Sequence, residues 1–318
     1  MRRVICISHS ADVDGIASAA LLKLAKNAAI KLVDYDDFIG SLKSVSNASE
    51  LYICDLGLSP ETAQPFFEEL ARIRRITRIT YIDHHPKVRG FRYASKTNFR
   101  IIHSLKDCAA ALTYIKFRNI LPKGASMIVA FAALTDYLEN GPIASKILDL
   151  HDRIQLYYEA SMLAYAIEWL GRASEKLNTI VDDLSRLRYP HEISGVPEAA
   201  SQQAKKVSSF LKRVEKEGVV KRGYAYIEVA SFPKGAAANL VRCVFGTPVG
   251  VAYRIKDNSP YVEISLRASS TYPKDLGSIT QRLASEFGGF GGGHSKASGA
   301  RIPKESLQRF LQALEDML

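Results

Sequence analysis

The sequence predicts an α/β protein with two domains: an N-terminal domain built on a parallel sheet and a smaller C-terminal α/β domain. Its 318 residues correspond to about two domains of ~150 residues each. In the first half, short apolar runs alternate with helical patterns, which is typical of a parallel sheet covered by helices on both faces. Further along, the stretch RYPHEISGVP at 188–197 interrupts the helical periodicity with two prolines and a glycine.

In the N-terminal domain, four short apolar runs are the expected strands. They are Val4–Ile7, Ile30–Val33, Leu51–Cys54 and Ile79–Ile82. Residues 15–25 have helical spacing of apolar side chains, and Ser59 followed by Pro60 is a typical helix start. From about 106 to 187 the pattern is mainly helical.

The expected domain boundary lies at 188–200, which we interpret as a linker between a domain at 1–187 and one at 201–318. Residues 201–217 have the pattern of a basic amphipathic helix. The later elements are expected strands at 224–230, 250–254 and 261–266, and expected helices at 277–286 and 304–317.

The composition favours an anionic partner and a reducing compartment. Lys and Arg outnumber Asp and Glu by 43 to 33, so the formal charge is +10 and nucleic acid is the first partner to consider. The four cysteines form no CxxC pair and suggest no disulfide framework. The first apolar run is interrupted too soon for a signal peptide or a membrane span, so we expect a cytoplasmic protein without a membrane partner.

Acidic and histidine side chains follow three of the expected strands. Ligands of a parallel α/β sheet bind beyond the carboxyl ends of its strands, so these side chains should converge on one rim. A further aspartate interrupts an apolar helical stretch later in the chain. The candidates are His9, Asp12, Asp14, Asp55, Asp83, His84, His85 and Asp136.

So many carboxylates in one place repel one another, and bound cations would relieve this repulsion. Two divalent metals that share a bridging carboxylate would do so. Mixed carboxylate and imidazole ligands suit Mn²⁺, with Mg²⁺ or Co²⁺ as alternatives, whereas no cysteine is placed for a zinc site. Any single aspartate can instead be a helix cap or a solvated loop residue, and we expect the latter for the carboxylates of 33–37.

Six glycines lie within residues 288–299, around His294. The run is not a P-loop, because no GK[ST] follows it, and it is not a GxGxxG turn between a strand and a helix. Two interpretations stay open at this point. The run is either a flexible tether or a segment whose backbone approaches an anion closely.

Taken together, these motifs resemble a known family. His9–Gly15, Asp55, Asp83–His85 and Asp136 are similar, in order and spacing, to the four-motif signature of the DHH phosphoesterase superfamily. Residues 291–299, GGGHSKASG, resemble the signature of the associated DHHA1 domain. The resemblance covers both expected domains.

The resemblance implies a role for each candidate residue. His9 and Asp12 would hold one metal, Asp14, His84 and Asp136 the other, and Asp55 would bridge the two. The catalytic residues would be His85, facing the substrate phosphate, and Asp83, orienting its neighbours. In the second domain, the substrate-binding residues would be Arg267, Gly291, Gly292, Gly293, His294 and Ser298.

The function implied is a two-metal phosphodiesterase that hydrolyses short single-stranded RNA or DNA to mononucleotides. This expectation follows the compact nanoRNases and phosphoadenosine phosphate (pAp) phosphatases, because the chain has no room for the third domain of RecJ-type exonucleases. The alternatives are a RecJ-like single-strand exonuclease, a cyclic dinucleotide phosphodiesterase and a non-catalytic nucleic-acid-binding replication partner. Activity on pAp and assembly into a homodimer stay open.

Overall fold

The chain forms two compact units, Met1–Ala204 and Lys205–Leu318. The computed structural model describes residues 3–88, 98–171 and 174–318. Within these ranges, no helix is long and apolar enough to cross a membrane.

The first unit contains a five-stranded, fully parallel sheet in the order β2-β1-β3-β4-β5. The expectation of a parallel sheet is therefore confirmed. The fifth strand was not predicted from the sequence, since only three of its five residues are apolar. The strands are β1 Val4–His9, β2 Ala29–Val33, β3 Glu50–Cys54, β4 Arg78–Asp83 and β5 Phe99–His103.

Successive side chains of the strands point to opposite faces of this sheet and pack into two separate hydrophobic cores, one on each face. Cys6, Tyr52 and Ile82 pack on the face of α1 and α4, whereas Ile7 and Ile53 pack on the face of α2 and α3. The helices of this unit are α1 Val13–Lys26, α2 Tyr35–Lys43, α3 Pro60–Ile73, α4 Ala109–Phe117, α5 Ser126–Thr135, α6 Ala144–Leu148, α7 Arg153–Leu170 and α8 Lys176–Ser185. Helix α9, Val196–Glu217, begins in this unit and continues into the second.

The region expected to be a linker differs from the structure. A 3₁₀ turn occupies Pro190–Glu192, and the long helix α9 already begins at Val196. Ile193, Val196 and Ala199 are buried in the core of the first unit. Pro197 does not prevent this helix, because the first turn of a helix needs no proline N–H. Of the two prolines that suggested a linker, Pro190 begins the 3₁₀ turn and Pro197 lies in the first turn of α9.

The second unit contains a six-stranded mixed sheet in the order β10-β11-β9-β8-β7-β6, in which only β7 and β8 pair in parallel. Helix α10 packs on one face, and α11 and α12 pack on the other. The elements are β6 Val219–Lys221, β7 Tyr224–Glu228, α10 Lys234–Phe245, β8 Val249–Ile255, β9 Tyr261–Ala268, α11 Leu276–Glu286, β10 Phe290–Gly293, β11 Ala297–Pro303 and α12 Leu307–Met317.

The glycine run is ordered secondary structure and not a tether. Residues 290–293 form β10, which pairs antiparallel with β11, so that Gly293 lies opposite Ser298. A Cβ on Gly277, near the start of α11, would lie 2.4 Å from the carbonyl oxygen of Gly293. The glycines therefore allow the hairpin of β10 and β11 to contact the start of α11 directly.

Candidate metal centre

The polar rim forms where the parallel strands end. His9 is the last residue of β1 and Asp83 the last of β4, while Asp55 comes directly after β3. Asp55 has a φ of 56°, a conformation that aspartate tolerates better than most residues, and its N–H donates to the carbonyl of Ile82 at 3.0 Å. The left-handed turn holds the Asp55 carboxylate at the rim between the neighbouring strands.

The first group of the rim is His9, Asp12 and Asp55. The Nδ1 atom of His9 lies 2.7 Å from Asp12 Oδ2 and 3.5 Å from Asp55 Oδ2. Asp12 also begins α1, because its side chain accepts a hydrogen bond from the N–H of Gly15 at 3.0 Å. One oxygen of Asp12 therefore caps the helix while the other faces His9.

The second group is Asp14, His84 and Asp136. The Nε2 atom of His84 lies 3.7 Å from Asp14 Oδ2, 3.3 Å from Asp136 Oδ2 and 3.2 Å from Asp55 Oδ1. Asp136 follows the last residue of α5. Asp14 is fully buried, and its two oxygens accept hydrogen bonds of 2.7 Å from the N–H groups of Ala109 and Ala110 at the start of α4. Asp55 is thus the residue next to both groups.

His85 and Asp83 form a pair at the edge of the rim, where His85 Nδ1 also lies 3.9 Å from Asp55 Oδ1. The Nδ1 atom of His85 lies 2.9 Å from Asp83 Oδ1, and the N–H of His85 donates to Asp83 Oδ2 at 3.2 Å. The buried Tyr81 hydroxyl lies 2.7 Å from the carbonyl oxygen of Leu56 and 3.0 Å from Asp83 Oδ2, and its single proton is shared between these two acceptors. With Nδ1 turned to Asp83, the Nε2 atom of His85 is directed outward, 3.4 Å from the Tyr35 hydroxyl.

The rim is electrostatically costly on its own. Burial raises the pKa of Asp55 well above its usual value, and the charges of Asp12 and Asp14 raise it further. Burial likewise raises the pKa of Asp136, again with help from Asp14. Burial lowers the pKa of His9, but the adjacent Asp12 and Asp55 carboxylates outweigh it and raise the pKa to about 10. Asp55 and Asp136 therefore need positive charge nearby to stay ionised.

The donor set fits divalent cations. Three overlapping groups each place their ligand atoms within 4.8 Å of one another: His9, Asp12 and Asp55; Asp14, His84 and Asp136; and Asp55, His84 and His85. Within the described residues, His9 Nδ1 and Asp55 Oδ2 are buried without a hydrogen bond of suitable geometry. Buried acceptors of this kind normally have a partner, and a cation would supply one.

Sequence reasoning missed several neighbours of the rim. Asp34, at the end of β2, was expected in a solvated loop, but it is buried and its Oδ1 lies 3.5 Å from His9 Nε2. It also caps α2 by accepting from the N–H of Tyr35, whose ring packs 5.1 Å from that of His9. His103 contacts the carbonyl of His85 through Nε2 at 2.6 Å. The sequence signal available for these residues was their position: Asp34 directly follows strand β2, and His103 is the last residue of β5.

Gly57 is a further missed position. A Cβ on this residue would lie 2.7 Å from Cγ of His85, closer than side chains pack. Position 57 must therefore be glycine for the His85 ring to occupy its observed place.

In the second unit, Arg267 of β9 and His294, the residue directly after β10, lie on either side of Ala297 of β11. Arg267 in β9 lies opposite Ala297 in β11, and Ala297 accepts a hydrogen bond from the N–H of His294 at 2.8 Å. The backbones of Arg267 and His294 are two strand spacings apart, which is about 10 Å. The Arg267 guanidinium lies against Gly235 of α10, where a Cβ would approach it to 2.5 Å.

Ser298 does not have the place expected of a substrate donor. Its side chain is buried, and its hydroxyl shares a hydrogen bond of 2.7 Å with the hydroxyl of Thr280 in α11. Ser298 lies opposite Leu266, and neighbouring residues of a strand point to opposite faces, so Ser298 and Arg267 lie on different faces of the sheet. Ser298 therefore joins the hairpin to α11.

Residues 227–318 match the family model of the DHHA1 domain. A search of curated proteins finds no matching sequence. The sequence match thus covers most of the second unit, including the glycine run.

Several solved structures share the fold along nearly the whole chain. The DHH domain of a protein described as a member of a family of ribosomal proteins has a TM-score of 0.73 and 19% identity, covering 99% of this chain and 86% of that one. The pGpG-specific phosphodiesterase PggH from Vibrio cholerae has a TM-score of 0.64 and 15% identity, covering 98% of both chains. The exonuclease RecJ bound to manganese has a TM-score of 0.62 and 13% identity, covering 99% of this chain and 90% of that one.

The DHHA1 match defines the second unit, and the fold shared with DHH-domain structures includes the first. The parallel sheet carries the acidic and histidine rim at its carboxyl edge, as the motifs led us to expect. Residues 227–318 therefore form a DHHA1 domain, and the chain as a whole has the fold of these solved structures, one of which is a DHH domain.

Proposed function

We propose that this protein is a two-metal phosphodiesterase that hydrolyses short single-stranded oligonucleotides to mononucleotides. The observation that carries the proposal is the pair of ligand groups joined by Asp55, each with carboxylate oxygens and one imidazole nitrogen. The names of two structural neighbours, a pGpG-specific phosphodiesterase and a manganese-bound exonuclease, support a phosphodiester substrate.

In this proposal His9, Asp12, Asp14, Asp55, His84 and Asp136 hold two divalent cations, with Mn²⁺ expected first. Bound there, the cations would neutralise the carboxylates and stabilise the charge that develops when water attacks a phosphodiester. The chain itself contributes the fixed placement of its ligands, because Asp14 is held by α4 and Asp55 by its left-handed turn.

His85 is the proposed group that contacts the substrate phosphate. Burial lowers the pKa of His85, but the hydrogen bond to Asp83 outweighs this and raises it. A protonated His85 can donate from Nε2 to a phosphate oxygen or to the leaving oxygen. Asp83 acts through His85, fixing its tautomer and orientation, and is a positioning residue.

Substrate binding is proposed for the second unit. Arg267 would make bidentate contact with a phosphate, and His294 would donate to it or stack on a base. The backbone of Gly291–Gly293 would allow a close approach, since Gly292 and Gly293 have no side chains and φ values of 151° and 143°. Ser298 has no part in this, because its hydroxyl faces Thr280.

A substrate panel tests the proposal. The protein is incubated with Mn²⁺ and, separately, a linear dinucleotide, an end-labelled 20-mer of RNA and of DNA, pAp, and cyclic di-AMP. We expect the dinucleotide to give mononucleotides at the highest kcat/KM, with EDTA abolishing the reaction and Mn²⁺ restoring it.

The other outcomes identify the alternatives. Faster, stepwise shortening of the 20-mer would favour a RecJ-like exonuclease, and cleavage of cyclic di-AMP above all others a cyclic dinucleotide phosphodiesterase. Binding of the 20-mer without hydrolysis of any substrate would favour a non-catalytic replication partner. Activity that survives EDTA dialysis would refute the metal mechanism.

A further inference from the structure

A polar cavity lies at the edge of the parallel sheet opposite the candidate metal ligands. Its volume is about 570 Å³, within the range of small-molecule sites. Its walls come from the amino ends of β3, β4 and β5 and from the last turns of α1 and α4. Strands that run parallel place their amino ends at one edge and their carboxyl ends at the other, so this cavity is separate from the rim.

The floor of the cavity is a row of side chains on one face of the sheet. Tyr52, Thr80 and Arg100 lie side by side on β3, β4 and β5, because Tyr52 pairs with Thr80 and Thr80 with Arg100. Phe117 of α4 packs against Tyr52, with ring centroids 5.7 Å apart. This row therefore places the Thr80 hydroxyl and the Arg100 guanidinium beside the aromatic rings of Tyr52 and Phe117.

Four cationic side chains and one carboxylate line this cavity: Lys26, Arg78, Arg100, Lys116 and Glu50. The Glu50 carboxylate already has three partners. It forms ion pairs with Lys26 at 3.2 Å and Arg78 at 2.8 Å, and it accepts a hydrogen bond from the Tyr52 hydroxyl at 2.7 Å. Within the described ranges, no carboxylate forms an ion pair with Arg100 or Lys116. The cavity therefore keeps an excess of positive charge.

The excess of positive charge disfavours the charged form of Lys116. Burial lowers the pKa of Lys116, and the charge of Arg100 lowers it further. Lys26 and Lys116 lie in the last turns of their helices, where a cation also favours the helix dipole. Arg100 lies on strand β5, away from any helix end, and has no carboxylate partner among the described residues. A bound anion would compensate Arg100 and Lys116.

We propose that this cavity is a second anion site that binds a phosphate-bearing ligand. Arg100 and Lys116 would contact the phosphate, Thr80 would donate to it, and Phe117 with Tyr52 would contact an attached base or sugar. The phosphate can belong to a free nucleotide or to the backbone of a nucleic-acid strand, since both present the same anionic oxygens. The site goes beyond the proposed hydrolysis and does not depend on it.

The test measures binding without divalent metal, so that no probe is hydrolysed. AMP is titrated by calorimetry, and a fluorescein-labelled 20-mer of oligouridylate by anisotropy, at low and high salt. The variant Arg100→Ala/Lys116→Ala is compared with the charge-matched control Lys146→Ala/Lys176→Ala, whose positions are exposed in the same unit. Thermal unfolding checks both folds, and Arg100→Glu serves as a second variant because Arg100 is exposed.

We expect the Arg100 and Lys116 substitutions to weaken binding of at least one probe by tenfold or more, while the control changes it less than twofold. A loss for AMP identifies a nucleotide site, and a loss for the 20-mer alone identifies a backbone contact whose salt dependence should fall with it. The proposal is overturned if neither probe loses affinity, or if the control pair loses as much. Hydrolysis of a dinucleotide should persist in both variants, so failure here and failure of the proposed hydrolase are distinguishable.

Discussion

Asp55 is the residue on which the candidate centre depends, because it lies next to both ligand groups. We expect Asp55→Asn to lower Mn²⁺-dependent hydrolysis by at least about 100-fold, since it removes the charge shared by two cations. Asparagine tolerates the left-handed conformation at this position, so the fold should survive.

The same substitution has an opposite effect on the metal-free protein. The pKa of Asp55 is raised in the folded state, so its charge opposes folding at neutral pH, and removing it should raise the Tm in EDTA. Exposed Asp37→Asn is the control and should change neither quantity. A lower Tm in EDTA for Asp55→Asn would contradict the like-charge repulsion described for the rim.

Gly57 offers a test of His85 that leaves every proposed metal ligand in place. In Gly57→Ala, the new Cβ would meet the His85 ring, so the ring must move. A displacement of about 1 Å from its working position can cost on the order of 100-fold in rate. We expect kcat to fall while Mn²⁺ affinity, measured by calorimetry, is retained.

The matched control for that substitution is Gly40→Ala, where a Cβ meets nothing within 4 Å and which lies inside helix α2. It should leave kcat unchanged and stabilise the helix by up to about 1 kcal/mol. An unchanged kcat in Gly57→Ala would mean that His85 has no part in the reaction.

At the scale of elements, the role of the β10–β11 hairpin in substrate binding can be tested with two substitutions. One strains its backbone, and the other removes a side-chain hydrogen bond. Gly293→Ala places a Cβ 2.6 Å from the carbonyl oxygen of Ala297 at a φ of 143°. We expect a loss of about 1–3 kcal/mol in unfolding free energy and a raised KM for a dinucleotide. Denaturant unfolding and steady-state kinetics measure the two effects.

Ser298→Ala is the comparison within the same hairpin. It removes the hydrogen bond to Thr280 and should cost about 1 kcal/mol of stability, with KM unchanged. A KM that rises in Ser298→Ala as much as in Gly293→Ala would restore Ser298 to the substrate-binding residues.

At the scale of the whole molecule, metal binding should stabilise the full chain. All proposed ligands lie in the Met1–Ala204 unit, so Mn²⁺ should shift the unfolding transition of that unit. The expected gain is about 2.7 kcal/mol at a Mn²⁺ concentration 100 times its Kd. Calorimetric scans in EDTA and in Mn²⁺ measure it, and an equal shift in Asp55→Asn would show that the ions bind elsewhere.

The sequence predicted the first four strands of the parallel sheet because each is a short, mainly apolar run with a polar residue directly after it. It did not predict β5, in which only Phe99, Ile101 and Ile102 are apolar, or β10, whose glycines have no strand propensity. Both strands exist because a neighbouring strand pairs with them, and such pairing between distant parts of the chain is invisible to local patterns. The same reason explains α9, where Val196 and Ala199 are buried in the core of the first unit and Pro197 lies in the first turn of the helix.

By itself, the sequence determined the fold class and the residues that follow the strands, because apolar periodicity and the position of polar residues are local properties. Only the tertiary structure decided which of these residues meet. It brought Asp34 to the rim, turned Ser298 towards Thr280, and assembled the basic cavity from residues of β3, β4, β5, α1 and α4. Those outcomes depend on strand register and on the face to which each side chain points, which are fixed only when the sheets form.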